Sequence, residues 1–113
     1  MLTIDKLKEY GADTITGMSR CVNNEALYLR LVGMIPKNEG FQKLYDSINS
    51  GNLNDAFLAA HGLKGIVSNL SLTPLSILIE EITEPLRNNV DMDYSLLVNK
   101  IEEERSKLES LLA

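Results

Sequence analysis

The sequence predicts an all-α fold: an up-and-down antiparallel four-helix bundle with additional short N-terminal helices, in a single domain over residues 1–113. Three observations predict it. Apolar residues recur three and four apart along most of the chain. No stretch alternates apolar and polar with the period of a strand. Strong helix start and stop signals leave connections of only about two to six residues, which makes sequential helices antiparallel neighbours.

Thr3 to Tyr10 reads as a short helix, with Thr3 placed to cap it and Gly11 just past its end. A second short helical stretch covers Ala12 to Cys21, with Ile15, Met18 and Val22 spaced as an apolar face. Asn23-Asn24 offers the next cap. Glu25 to Ile35 then forms a helix with Ala26, Leu27, Leu31 and Met34 turned inward, and Pro36 ends or kinks it. The four main helices are expected at about 38–50, 53–70, 74–88 and 94–112. The first buries Phe41, Leu44, Tyr45 and Ile48. Asn49-Ser50-Gly51-Asn52 is a turn, and Asn52 with Asp55 resembles a capping box. Thr73-Pro74 is a restart signal, read as an N-cap followed by proline at the first helical position. Leu75, Leu78, Ile79, Ile82 and Leu86 face inward on the third, which Pro85 kinks or ends early. Leu97, Ile101, Leu108, Leu111 and Leu112 do so on the last. The segments before Asn38 pack across one end or side of the bundle.

Composition narrows the function classes. A net charge of −5 and an aromatic content of 5% without tryptophan argue against nucleic acid as the main partner. No run of 18 apolar residues is present, so no membrane span is expected. One cysteine cannot form an internal disulfide, and the N-terminus lacks a signal-peptide layout, so a cytoplasmic protein is expected. Cys21 is read as a buried small apolar residue. Metal sites need several Cys or His ligands, and the chain has one of each, so no metal and no cofactor are expected. Neither a phosphate-binding glycine loop nor Gly-x-Ser-x-Gly occurs, and the Glu102-Glu103-Glu104 run reads as a solvated face.

The informative stretch is the second main helix. On a helical wheel centred on Leu63, Ala56, Ala59, Ala60, Ile66, Val67 and Leu70 fall within about 60° of the centre. His61, the sole histidine, lies about 160° away and so points outward. Lys64 stands one turn on, about 100° round on the same side, with Ser68 at about 140° and Gly65 beside His61 at about 200°. A histidine can exchange a proton, a metal or a phosphoryl group near neutral pH. A lysine at i+3 can offset charge on phosphoryl oxygens. A mid-helix glycine costs about 1 kcal/mol relative to alanine, so Gly65 needs a reason, either approach of a partner or close packing of a helix. Phe57, one turn before His61, is either half-buried at the helix boundary or part of an apolar docking patch. For each polar residue here the plain alternative is a solvated helix surface with no role.

Ala60-His61-Gly62-Leu63-Lys64-Gly65, followed by Ser68-Asn69-Leu70-Ser71-Leu72, resembles the motif of histidine-containing phosphotransfer (HPt) domains. The resemblance in organisation covers roughly residues 20–112. One departure is that the family often has glycine where Ser71 stands. The resemblance implies a phosphoryl carrier in a two-component phosphorelay, without catalytic activity of its own. His61 would be the phosphoacceptor and Lys64 its electrostatic support. Phe57, Gly65 and Ser68 would meet the partner. Partners would be response-regulator receiver domains and a hybrid histidine kinase, with Mg²⁺ and the acidic pocket on the receiver. In this family a polar residue of the next helix often steadies the second imidazole nitrogen, and the candidates here are Thr83 and Glu84. An alternative of another class is a non-phosphorylated helical adaptor that binds a signalling partner through the same surface. A kinase's own dimerising histidine domain fits less well, since a charged residue usually follows its histidine and Gly62 stands here. A free-standing monomer is expected.

Overall fold

A computed structural model describes all residues from Met1 to Ala113. The chain is 76% helical and has no strand. In order, the helices are α1 (Ile4–Tyr10), α2 (Thr14–Arg20), α3 (Glu25–Met34), a 3-10 turn (Ile35–Lys37), α4 (Glu39–Asn49), α5 (Leu53–Asn69), α6 (Thr73–Arg87) and α7 (Ser95–Ser110). None is long and apolar enough to cross a membrane.

Local chemistry sets most of these boundaries. Thr3, Asp13, Asn24, Asn38 and Asn52 each accept a backbone N–H of the first turn that follows, at 2.7–3.1 Å. Each thereby satisfies a donor that the helix itself leaves free. α6 starts one residue earlier than expected. Leu72 is its cap residue and Pro74 lies within its first turn, where a missing N–H costs nothing. Thr73 does not cap the helix; its hydroxyl donates to the Ser71 carbonyl at 3.4 Å. Pro85 does not stop α6 at once, and the helix runs on to Arg87.

Three long helices stack side by side. α5 lies between α4 and α6, and α7 packs against α6. Both pairings of α5 are antiparallel. Leu63, late in α5, packs against Gly40 at the start of α4, and Phe57, early in α5, lies under Arg87 at the end of α6. α7 is tied to the start of this layer by polar bonds. The Tyr45 hydroxyl donates to Glu102 at 2.8 Å, and Arg105 donates to the Pro36 carbonyl at 3.0 Å. Arg105 also pairs with Glu102 at 2.7 Å and with Glu109 at 2.5 Å. The apolar core is one cluster running from Leu7 to Leu108, and it includes Ala56, Ala60, Leu63, Val67 and Leu70 of the predicted α5 stripe.

The N-terminal helices close one end of this assembly, at the α5–α6 turn. Tyr28 of α3 is fully buried and donates its hydroxyl to the Leu70 carbonyl at 2.9 Å. Arg20 of α2 donates to the Ser68 carbonyl at 2.7 Å, and the Asp13 N–H to the Ser71 carbonyl at 3.0 Å. The carbonyls at the end of α5, which have no partner within the helix, are satisfied this way.

The expected inner faces of α2 and α3 need correction. Ile15 and Val22 are exposed, and α2 instead turns Thr14 and Gly17 inward. A β-carbon on Gly17 would meet the Tyr28 ring at 2.6 Å, so no larger residue fits there. On α3, Ala26 and Met34 are exposed, Leu27 and Leu31 are half-buried, and Tyr28 and Val32 are fully buried. The tyrosine wins the inner position because its ring fills the gap under α2 and its hydroxyl finds a carbonyl there.

Candidate functional site

The centre of α5 presents His61 to solvent, eight residues from either end of the helix. The inward pull on α5 comes from the opposite side. Ala56, Ala60 and Val67 are fully buried and Leu63 nearly so, which fixes the rotation of the helix and leaves His61 on its outer ridge. No side chain or carbonyl of the protein hydrogen-bonds the imidazole. Both ring nitrogens are therefore open to an incoming group. Lys64, one turn on and half-buried, is in no ion pair, so its ammonium is uncommitted. Around them the surface is bare: a β-carbon added at Gly62 or at Gly65 would meet nothing within 4 Å. The close-packing explanation for Gly65 therefore fails, and so does the same explanation for Gly62.

Two flanks border this ridge. On the α6 side, Phe57 is half-buried and its ring stacks on His61, with centroids 5.7 Å apart and planes at 27°. The Arg87 guanidinium lies over the same phenylalanine ring, 5.4 Å from its centroid. Arg87 also meets Glu84 at 3.5 Å in an exposed pair. On the other side, an open groove of about 1250 Å³ runs between α3 and the α4–α5 pair. Leu58, Gly62 and Ile66 of α5, Gly40 and Lys43 of α4 and Met34 of α3 are among the residues that line it. Leu58 and Met34 are the exposed large apolar side chains there, at 58% and 62%.

The sequence-derived site residues are therefore partly assembled. His61, Lys64, Gly65 and Phe57 share one accessible region of α5. Ser68 is two turns on and half-buried, and the contact it makes is structural, through its carbonyl to Arg20. The proposed imidazole partners on α6 do not serve. Thr83 is fully buried and donates to the Ile79 carbonyl at 2.5 Å, and Glu84 faces Arg87 instead. Arg87, Leu58 and Met34 were not singled out from sequence. Arg87 lies far along the chain, and only the register of α6 against α5 brings it to Phe57.

Ser71 takes on meaning here. It is past the end of α5, with φ at +56° in the left-handed region, while the Leu72 N–H returns to the Val67 carbonyl at 3.0 Å. That is the helix-ending position at which glycine has no steric penalty. No protein-family model, no curated protein and no solved structure matches this chain.

Proposed function

We propose that the protein is a histidine phosphotransfer protein that carries a phosphoryl group on His61 between receiver-domain aspartates in a phosphorelay. The observation that carries this reading is the accessible His61 at the middle of α5, beside an unpaired Lys64 and two glycines whose outer space is empty. In this reading α4 to α7 are the four members of an up-and-down antiparallel bundle, and α1 to α3 close one end of it.

The chemistry needs little more from this chain. A neutral imidazole nitrogen directs its lone pair at the phosphorus of an aspartyl phosphate. The P–O bond to the aspartyl carboxyl breaks, and its electron pair leaves with the carboxylate. The proton on the other ring nitrogen is then free to pass to water. Charge on the phosphoryl oxygens is offset by the Lys64 ammonium, and the receiver supplies Mg²⁺. Gly62 and Gly65 let the receiver's loops approach the imidazole. Leu58 and Met34, exposed in the groove, offer apolar area for one of its helices.

The test is label transfer from a phosphorylated receiver of the same genome. Wild type takes up label, His61→Gln takes up none, and Lys64→Ala takes it up more slowly. Absence of label from every receiver would overturn the carrier role. The groove beside His61 favours one second reading, a non-phosphorylated adaptor that holds a partner helix. In that case His61→Gln would leave partner binding intact and no phosphate would be found.

A further inference from the structure

We infer that Phe57 is a positioning residue for His61: its ring, itself held by the Arg87 guanidinium, fixes the imidazole in the orientation from which it receives a phosphoryl group. The inference rests on the carrier reading above. An exposed histidine in mid-helix with no hydrogen bond from its own chain is free to exchange rotamers. Something else must choose its orientation. Side chains on a helix lean toward its N-terminus, so the imidazole at 61 lies over the residue four before it. That residue is Phe57, and the two rings are stacked, with centroids 5.7 Å apart and planes at 27°. A stack of this kind engages the face of the imidazole. The ring edge, where both nitrogens sit, stays open to the partner.

Phe57 is held in turn. It is half-buried against the core cluster, and Arg87 reaches across from α6 to place its guanidinium 5.4 Å from the ring centre. A cation over an aromatic face is attractive, and Glu84 at 3.5 Å steers the same guanidinium from its own helix. The series Arg87, Phe57, His61 thus ties the orientation of the acceptor to the α5–α6 pairing. A polar side chain bonding the second ring nitrogen would give the same control, and neither Thr83 nor Glu84 does so here. Lys64 remains uncommitted and available to the phosphoryl oxygens.

The experiment uses phosphoramidate, a small donor that needs no docking surface. The imidazole nitrogen forms a bond to phosphorus, the P–N bond breaks, and ammonia leaves. Rates are compared for wild type, Phe57→Leu, Phe57→Tyr and Arg87→Gln, with helix content followed by circular dichroism. In parallel, side-chain couplings and ring-proton shifts of the sole histidine report its rotamer populations by NMR. Phe57→Leu keeps apolar volume and loses the aromatic face. It should slow phosphorylation about two- to tenfold, which is what an aromatic pair is worth when converted at 1.36 kcal/mol per factor of ten. It should also spread the His61 rotamers and remove the ring-current shift. Phe57→Tyr should restore both, and Arg87→Gln should give a smaller change in the same direction without touching either ring. If Phe57→Leu does not fold, Arg87→Gln and Phe57→Tyr still carry the test. A wild-type rate and unchanged rotamers in the folded Phe57→Leu and Arg87→Gln variants would overturn the positioning role while leaving the carrier role standing. A wild-type protein that accepts no phosphoryl group would remove the carrier role, and this inference with it.

Discussion

Gly17 and Gly40 on one side, Gly62 and Gly65 on the other, occupy helices for opposite reasons. A glycine inside a helix costs about 1 kcal/mol relative to alanine wherever it stands. At Gly17 a β-carbon would collide with Tyr28 at 2.6 Å and with the Leu70 carbonyl at 2.8 Å, and at Gly40 with Leu63 at 2.9 Å. These two let helices approach closely, and the gain in packing offsets the cost within the folded chain. At Gly62 and Gly65 the same space is empty. Nothing within the chain compensates there; in the carrier reading proposed above, the compensation comes from a partner at the face where His61 stands.

Mutagenesis can break this contrast. The largest effect is expected at Gly17→Ala, because the carbonyl of Leu70 is backbone and cannot step aside. A loss of roughly 1–3 kcal/mol should appear in urea unfolding. A neutral result would mean that α2 does not need its close seat on Tyr28. Gly65→Ala should do the reverse and stabilise by about 1 kcal/mol, while slowing transfer from a receiver and leaving phosphoramidate labelling as it was. Equal receiver rates for the alanine variant and wild type would show that the bare surface is not there for a partner. Ser71→Gly should stabilise by a few tenths to about 1 kcal/mol, since serine sits at φ +56° where a β-carbon is disfavoured. Unchanged stability would mean that the greater freedom of glycine in the unfolded chain cancels the relief.

The smallest effect concerns pH, at the polar tie between α7 and α4. The Arg105 guanidinium, and then the Tyr45 hydroxyl, hold the Glu102 carboxyl below its ordinary value of 4.5, against a partial opposing effect of burial. A lowered folded value means that the folded state binds that proton less readily than the unfolded chain. The stabilisation is therefore complete above about pH 4.5 and fades as pH falls through the lower, folded value. Thermal midpoints should be level from neutral pH down to that point and decline below it. Glu102→Gln should make the decline shallower. An unchanged acid profile in that variant would remove Glu102 from the account of acid sensitivity.

How much of this was legible in the sequence follows from how local each cause is. The four long helices were legible within a residue or two, since each has a continuous apolar stripe, and α4 and α5 carry an asparagine cap as well. The outward placement of His61 followed from the α5 stripe alone. So did its grouping with Lys64 and Gly65. The faces of α2 and α3 were misread because their rotation is decided by tertiary docking. Ile15 and Met34 are apolar enough to look inward, yet Gly17 and Tyr28 take the inner positions by fitting each other and the end of α5. Thr83 was misread for a similar reason: a hydroxyl that returns to its own helix at the Ile79 carbonyl can be fully buried. The link from Arg87 to Phe57 was out of reach because it depends on register between two helices, which no spacing within either one encodes.

The most direct measurement of the central claim is the position and chemistry of a phosphate on this chain. After exposure to a phosphorylated receiver, the protein would be digested at neutral pH and the phosphopeptide sequenced by mass spectrometry, with aliquots held in acid and in base. The account predicts a single phosphate on His61, lost in acid and kept in base. Phosphate on a serine or threonine, stable in acid, or an unmodified His61 in a chain that still binds the receiver, would contradict it.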